Sequence, residues 1–245
     1  MSRSVIYYKL AAIYDQVMNH VDYRGWSDYV AWLLCFAGVQ PKKIVDLSCG
    51  TGSFLKYFLR ENMFGIGGDF SIDMIRQAKK KTYRSSCGFL VSDMSVIALR
   101  NECCDAVILL YDSINYLTSV TELKVFFEEI QRILDPEGVL IFDSVTEKHC
   151  LDHKRQLNEA VYWDRKGYEK MSHYDKRSRT QYTDFKILID NEYFHERHIQ
   201  KIYEINELSK MVKAAGFDYH LFDGFTHRPI HRLSKRVHFL CSRIR

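Results

Sequence analysis

The sequence has few prolines and no cysteine pattern typical of disulfide cross-links. Only three of its 245 residues are proline and no low-complexity run occurs, which argues against linkers and disordered segments. The seven cysteines are odd in number and lack the spacing of a disulfide framework. That pattern is typical of reduced thiols in a cytoplasmic protein, and a chain of this length can bury a sizeable core.

Long apolar runs and strong charge are also missing. The longest apolar run, residues 29–39, is far too short for a membrane span. The first residues lack the apolar core of a signal peptide. We therefore expect a cytoplasmic protein that does not enter a membrane. The formal net charge of +4 gives little support for a polyanionic partner.

One stretch, residues 43–54, carries most of the information. It reads Lys-Ile-Val-Asp-Leu-Ser-Cys-Gly-Thr-Gly-Ser-Phe, which predicts a buried strand, a tight glycine turn and the start of a helix. Such a turn forms a ligand site at the carboxyl edge of a parallel sheet. Asp46 places a negative charge there, which would repel a pyrophosphate and attract an ammonium or sulfonium group.

A nicotinamide dinucleotide enzyme is the main alternative for this turn. Its fingerprint requires a third small position, where this chain has Leu55, and its turn binds a pyrophosphate, which Asp46 would face. Two helices before the first strand also fit that class poorly. The sequence therefore favours the cationic ligand.

Hydrophobic periodicity predicts alternating strands and helices along most of the chain. Two helices are expected within residues 5–40, and the later elements follow with a turn at 135–138 and antiparallel strands around 182–200. The predicted strands are 43–48, 63–69, 88–92, 105–111, 139–144, 217–222 and 235–241. The predicted helices after the first strand are 53–60, 71–81, 121–134 and 207–215. This alternation indicates a parallel sheet with right-handed crossovers.

Polar residues follow the next strands at the same predicted edge. Asp69 ends the second strand about 20 residues after the glycines, where an acid can accept both hydrogen bonds from a ribose diol. Ser92, Asp93 and Met94 end the third strand, where an adenine would lie. The stretch from Tyr111 to Tyr116 follows the fourth strand, nearest the reacting end of a ligand.

These motifs, in this order, resemble the class I S-adenosylmethionine-dependent methyltransferases, and most of all their small-molecule branch. The matching stretches are 45–54, 67–74, 92–94 and 134–138, together with residues 14–18, 22–26, 196–200 and 214–217. The resemblance implies a Rossmann-like, doubly wound seven-stranded sheet in the order 3-2-1-4-5-7-6 with the last strand antiparallel. It also implies a methyltransferase domain at 1–145 and 205–245, with a small antiparallel β lid inserted at 146–204 after strand five.

The same resemblance implies a role for each residue of the motifs. The turn cradles the methionine part of S-adenosylmethionine through Ser48, Cys49, Gly50, Thr51 and Gly52, although Ser48 stands where the family usually has glycine. Asp46 orients this turn and favours the amino group, and Tyr14 closes over the methionine end. Asp69 binds the ribose. The adenine is contacted by Phe70, Met74, Ser92, Asp93 and Met94.

Candidates for catalysis lie where the transferred methyl group would be. Tyr111 also borders the cofactor, and Asn115 follows it on the same loop. His198 is an outside candidate for a base, on a predicted strand where it shares a face with Glu196. Each also has a structural interpretation: a packing ring for Tyr111, a turn cap for Asn115 and an ordinary strand surface for His198. A base is needed only when the acceptor holds its proton at working pH.

Weaker signals complete the sequence. The histidine pairs His149/His153 and His227/His231 have helix-face spacing but no third ligand, so we expect no metal site. A basic tail after Gly224 could meet RNA phosphates, although a solvated loop is the simpler interpretation. We expect S-adenosylmethionine-dependent methylation of nitrogen or oxygen on a small molecule. The alternatives are an RNA or protein methyltransferase, and a non-catalytic cofactor-binding partner.

Overall fold

The computed structural model describes residues 6–81, 83, 85–152 and 158–244. A 3-10 turn (Leu10–Ala12) and the short helix α1 (Tyr14–Val17) precede α2 (Tyr23–Phe36). The sequence predicts one regular helix where the 3-10 turn and α1 stand. The two arrangements bury the same apolar residues, Leu10, Ile13 and Val17, so the spacing alone does not separate them.

The central part of the chain alternates as predicted. It forms β1 (Lys43–Asp46), α3 (Ser53–Phe58), β2 (Phe64–Asp69), α4 (Ile72–Ala78), β3 (Cys87–Val91), β4 (Cys104–Leu109), α5 (Val120–Ile133) and β5 (Leu134–Val145). Two helix starts are encoded locally. The Ser71 hydroxyl accepts the Met74 N–H at 3.2 Å, and Ser119 and Glu122 cap each other's backbone at the start of α5.

Strand β5 begins earlier than the sequence indicates. We expect a turn at 135–138, but the structure has β-strand from Leu134 onward. Cys104 pairs with Leu134 and Ala106 pairs with Val139, with a shift of register between the two pairs. The residues 135–138 therefore form a bulge within the strand, because pairing with β4 resumes on both sides of it.

A second, smaller sheet follows β5. After α6 (Glu147–Asp152) the chain forms β6 (Glu159–Trp163), β7 (Lys166–Asp175), β8 (Thr180–Ile189) and β9 (Glu192–Lys201). These four strands pair in sequence order and are all antiparallel. The predicted antiparallel sheet is confirmed, whereas the division into two domains and the role of this sheet as a lid stay predictions.

The chain then completes the large sheet with α7 (Ile205–Ala214), β10 (Phe217–Asp223) and β11 (Arg236–Arg243). The sheet has the order β10-β11-β5-β4-β1-β2-β3, and β11 is antiparallel to both of its neighbours. This confirms the order 3-2-1-4-5-7-6 expected from the motifs. The carboxyl ends of β1 to β4 lie along one edge of the sheet, because these four strands are parallel.

Candidate active site

A cavity of about 550 Å³ lies at the carboxyl edge of β1, β2 and β3. One wall comes from the strand ends that the sequence identified, and it includes Leu47, Ser48, Gly50, Asp69, Phe70, Met74, Ser92 and Met94. The opposite wall comes from the amino-terminal segment, the turn after β4 and strand β9, and it includes Tyr7, Tyr14, Tyr116, Arg197 and Ile199. The fold thus brings distant motifs to one cavity.

The glycine turn shapes the narrow end of this cavity. Gly50 and Gly52 have φ angles of 52° and 76°, a left-handed conformation that other residues rarely adopt. A Cβ atom on Gly50 would lie 3.7 Å from the Tyr14 ring, an ordinary contact distance, so the φ angle rather than lack of space favours glycine here. The Ser48 hydroxyl is buried and has no hydrogen-bond partner in the described part of the chain. A polar ligand in the cavity would satisfy it.

The Asp69 carboxylate lies between the turn and the start of α4. One oxygen accepts the Gly50 N–H at 2.9 Å and the other accepts the Ser71 N–H at 2.9 Å. Burial raises the pKa of Asp69 to about 6. Because a carboxylate has about four acceptor positions, two remain for the hydroxyls of a ligand. This geometry fits a ribose diol.

Asp46 lies beneath the turn and does not line the cavity. Its side chain is 2 % exposed, and it accepts the Ser48 N–H at 3.1 Å. Burial raises the pKa of Asp46 to about 7. The expected role in orienting the turn agrees with this hydrogen bond, whereas contact with a ligand amino group stays a prediction.

The wide end of the cavity is mostly apolar. Phe70, Met74 and Met94 supply its surface, and the buried Ser92 adds a hydroxyl. The Asp93 carboxylate instead accepts hydrogen bonds from the backbone and hydroxyl of Ser95, at 2.8 and 2.7 Å. A flat, weakly polar ring fits this end, and the expected contact of Asp93 with an adenine amino group stays a prediction.

Three predicted residues support the turn from behind without lining the cavity. Cys49 and Thr51 are buried, and the Thr51 hydroxyl lies 2.9 Å from the Lys81 ammonium. The N–H of Gly52 donates to the Cys49 carbonyl at 2.7 Å, which closes the turn. These residues therefore support the shape of the ligand site without forming part of its surface.

Two tyrosines and a histidine form a hydrogen-bonded chain on the opposite wall. The hydroxyls of Tyr7 and Tyr116 are 2.7 Å apart, and the Tyr116 hydroxyl is 2.9 Å from Nδ1 of His198. Nε2 of His198 is 3.6 Å from the Glu196 carboxylate, which is too long for a hydrogen bond. His198 is 2 % exposed, so Tyr116 separates it from the cavity. Burial raises the pKa of both tyrosines.

Glu196 also binds the amino-terminal segment to β9. Its carboxylate accepts the N–H groups of Tyr7, Lys9 and Leu10 at 2.7 to 3.0 Å. The sequence singles out Glu196 and His198 as a pair but does not reveal Tyr7 or this attachment. The shared strand face of Glu196 and His198 was the only signal that the sequence offered for this pair. The contact with Tyr7 joins residues almost 190 positions apart, so no local pattern predicts it.

The remaining catalytic candidates lie outside the cavity. Tyr111 has a φ angle of 60°, and its ring contacts Trp26 and the Arg236 guanidinium at 6.0 and 5.1 Å. Its hydroxyl is 3.3 Å from Nε2 of His20. Asn115 is fully buried, and its amide donates to the Lys201 carbonyl at 2.7 Å and to the Ser144 hydroxyl at 3.2 Å. Asn115 therefore joins structural elements and has no surface for a ligand.

A buried ion cluster lies beside Tyr111. The Arg236 guanidinium pairs with Asp112 at 2.9 Å and with Asp143, whose side chain is fully buried. Burial raises the pKa of both carboxyl groups, and the Arg236 charge opposes that rise. The cluster fixes the loop after β4 against β5 and β11, and so fixes the position of Tyr111.

Among the described residues, no three His, Cys, Asp or Glu side chains gather as metal ligands. His153 lies outside the described residues, His227 stacks on Trp32, and His231 pairs with Asp223. In the part of the chain that is described, no helix has both the length and the apolar character needed to cross a membrane.

Residues 45–142 match a family model described as a methyltransferase domain. The match runs from the glycine turn to β5, the same stretch that forms the ligand wall of the cavity. The chain thus resembles S-adenosylmethionine-dependent methyltransferases both in this domain match and in its fold, as the sequence motifs predict.

Known proteins resemble the chain over most of its length. It is 29% identical over 222 residues to the putative methyltransferase YqeM of Bacillus subtilis, covering 88% of each chain. The structure superposes on an S-adenosylmethionine-dependent methyltransferase from Clostridium acetobutylicum with a TM-score of 0.80 and 23% identity, covering 98% and 99%. The sugar N-methyltransferase KedS8 from Streptoalloteichus gives a TM-score of 0.75 with 17% identity, covering 100% and 95%.

Proposed function

We propose that the protein transfers a methyl group from S-adenosylmethionine to nitrogen or oxygen of a small molecule. The observation that carries this proposal is the cavity at the sheet edge. Three features lie along it in order: an unpartnered hydroxyl at Ser48, spare acceptor positions at Asp69 and an apolar surface at Met94. These are the groups that an amino acid, a ribose and an adenine need.

Different residues at the cavity contact different parts of the cofactor. Ser48 and the backbone at Gly50 hold the amino-acid end, while Asp46 supplies negative charge beneath it. Asp69 accepts both ribose hydroxyls. The adenine lies against Phe70, Met74, Ser92, Asp93 and Met94. Tyr14 covers the sulfonium end, since its ring already lies above Gly50.

When bound, S-adenosylmethionine would supply an electrophilic methyl group to the acceptor's lone pair, and the electron pair of the C–S bond would remain on sulfur. The protein's task is alignment and exclusion of water. The rings of Tyr7, Tyr14 and Tyr116 form an aromatic wall over the cavity. Their phenols stay protonated at neutral pH, because burial raises the pKa of each one.

Tyr111 positions the acceptor, and His20 receives its proton. Burial raises the pKa of Tyr111 to about 12, so its phenol donates a hydrogen bond and does not abstract a proton at neutral pH. The imidazole of His20, 3.3 Å from that phenol, is exposed enough to pass a proton to water. His198 acts indirectly, by holding Tyr116 in place.

Two features favour a small molecule over RNA. Two arginines of the basic tail that could meet phosphates are turned inward: Arg236 pairs with buried acids, and Arg243 bonds the carbonyls of Gln131 and Leu134. The structural neighbour KedS8 is a sugar N-methyltransferase by name, which supports a small acceptor.

Calorimetry with S-adenosylmethionine and its demethylated product tests the proposal. We expect the wild-type protein to bind both, and Asp69→Ala to bind them at least tenfold more weakly, because two hydrogen bonds to ribose are lost. Glu61→Gln, an exposed change outside the cavity, is the control. A folded wild-type protein that binds neither compound would refute the proposal.

A further inference from the structure

The described residues form a second cavity, of about 660 Å³, which shares no lining residue with the first one. It lies between the amino-terminal half of α2 and the segment 224–235 that precedes β11. Aromatic residues dominate its lining: Trp26, Tyr29, Trp32, Tyr111, Phe225 and His227. Nothing in the cofactor site uses this space, although Tyr111 borders it.

The aromatic lining is built as a fixed wall. The His227 ring stacks on Trp32 with centroids 3.9 Å apart and planes 13° from parallel. Phe225 meets Trp26 edge to face at 4.3 Å. The Tyr29 hydroxyl donates to the Thr226 carbonyl at 3.1 Å, which ties the segment after β10 to α2. Flat rings held in this way favour a flat ligand.

The charge at this cavity is negative. Asp22 and Asp28 lie on its rim, both exposed. Asp22 accepts only the Gly25 N–H at 2.9 Å, and neither carboxylate has a basic partner within the described residues. The one guanidinium that lines the cavity, Arg236, is already paired with Asp112 and Asp143. A ligand cation therefore has two free carboxylates and several ring faces to bind.

The second cavity is linked to the cofactor site through two tyrosines that pack against the same hydrophobic residues. Tyr14 lines the first cavity and Tyr111 lines the second. The two rings pack in one cluster that includes Leu10, Ile13 and Val17. The position of Tyr111 is therefore coupled, through this cluster, to that of Tyr14, whose ring lies over Gly50.

We propose that this second cavity binds the methyl acceptor, and that the acceptor is an amine attached to an aromatic ring system. This inference rests on the proposed function. The ring stacks on the wall formed by Trp32 and His227, and the amine enters as an ammonium drawn by Asp22 and Asp28. It then gives its proton to His20, which frees the nitrogen lone pair for the methyl carbon.

Three probes that share the indole ring system and differ in charge test the proposal: tryptamine, tryptophol and indole-3-acetate. Binding is measured by calorimetry on the full chain saturated with the demethylated cofactor, so that no turnover occurs. We expect tryptamine to bind at least tenfold more tightly than tryptophol, and indole-3-acetate to bind least. Trp32→Ala and Asp28→Asn should each weaken tryptamine about tenfold. Tyr57→Ala and Glu61→Gln are the matched controls outside both cavities.

Cofactor binding is measured separately for every variant. Unchanged affinity for S-adenosylmethionine in Trp32→Ala and Asp28→Asn shows that both are folded. Three results would each overturn the acceptor site without affecting the methyl-donor site. They are equal affinity for the three probes, undiminished tryptamine binding in the two variants, and no tryptamine binding by a protein that binds S-adenosylmethionine. Failure of the wild type to bind S-adenosylmethionine overturns the proposed function, and this inference with it.

Discussion

The backbone N–H of Gly50 donates a hydrogen bond of 2.9 Å to the carboxylate of Asp69. This bond joins the glycine turn after β1 to the end of β2, so the two halves of the ligand wall cannot move independently. Asp69 therefore has a double task, because the group that binds a ribose also holds the turn that binds the methionine.

The ionisation of Asp69 should control cofactor affinity. Burial raises the pKa of Asp69 to about 6, and only the ionised form accepts hydrogen bonds from both ribose hydroxyls while keeping those from Gly50 and Ser71. We expect affinity for S-adenosylmethionine to vary near pH 7 with the charge of Asp46 and, well below pH 6, to fall towards tenfold per pH unit as Asp69 is protonated. Calorimetry between pH 5 and pH 8 measures this. Asp69→Asn should bind weakly, and its affinity should lack the fall below pH 6; a wild-type affinity that is flat across the range would contradict the prediction.

The cofactor side of the molecule was the part that the sequence could predict. Asp69 and Ser48 follow their strands directly, so the strand pattern places them at the sheet edge without further information. The bulge at 135–138 could not be recognised, because Pro136 and Gly138 are turn residues and the renewed pairing of Ala106 with Val139 depends on a neighbouring strand.

The opposite wall was hidden for a different reason. Tyr7 meets Glu196 only because β9 lies against the amino-terminal segment, and no periodicity encodes a contact of that range. Arg236 reads as part of a basic tail, yet it lies among buried acids. Asn115 sits on the expected loop, but its burial against Ser144 depends on β5 and β9 together.

Loss of the Arg236 charge should destabilise the protein strongly. Arg236→Gln leaves the carboxylates of Asp112 and Asp143 without a cation, and an unpaired buried charge costs about 3–5 kcal/mol. We expect the free energy of unfolding, measured by urea denaturation at pH 7.5, to fall by about that amount. The deficit should shrink at pH 5.5, because burial raises the pKa of both carboxyl groups and they can then take up protons. Arg228→Gln, in an exposed position, is the control; an equal loss in both variants would contradict the role of the cluster.

Glu196 should hold the amino-terminal segment over the cofactor cavity. Glu196→Gln keeps the size of the side chain but removes the charge that accepts the N–H groups of Tyr7, Lys9 and Leu10. We expect the free energy of unfolding to fall by about 1–3 kcal/mol, with faster amide hydrogen exchange at Lys9 and Leu10. Glu192→Gln, an exposed change on the same strand, should alter neither quantity. Unchanged exchange at Lys9 and Leu10 in the Glu196 variant would show that the segment is held by other contacts.

The charge of Asp46 should lower the free energy of unfolding and raise the affinity for S-adenosylmethionine. Its carboxyl group is almost fully buried, and burial raises its pKa from 3.8 to about 7. Between these values the folded protein binds a proton that the unfolded chain lacks, so the stability contributed by this group falls as pH rises from about 4 to 7. Asp46→Asn removes the charge and keeps an acceptor for the Ser48 N–H.

We therefore expect Asp46→Asn to raise the free energy of unfolding at pH 8 by about 4 kcal/mol, since the pKa rises by about three units and each unit corresponds to 1.36 kcal/mol. The gain should shrink as pH falls from 7 to 4, because the folded carboxyl group takes up its proton over this range while the unfolded one stays mostly ionised. Affinity for S-adenosylmethionine should fall at the same time, because the negative charge beneath the turn is lost. Urea denaturation at pH 8 and pH 4 and calorimetry at pH 8 separate the two effects. A variant that is more stable and binds equally well would show that Asp46 serves the turn alone; one that loses both would show that its charge stabilises the fold.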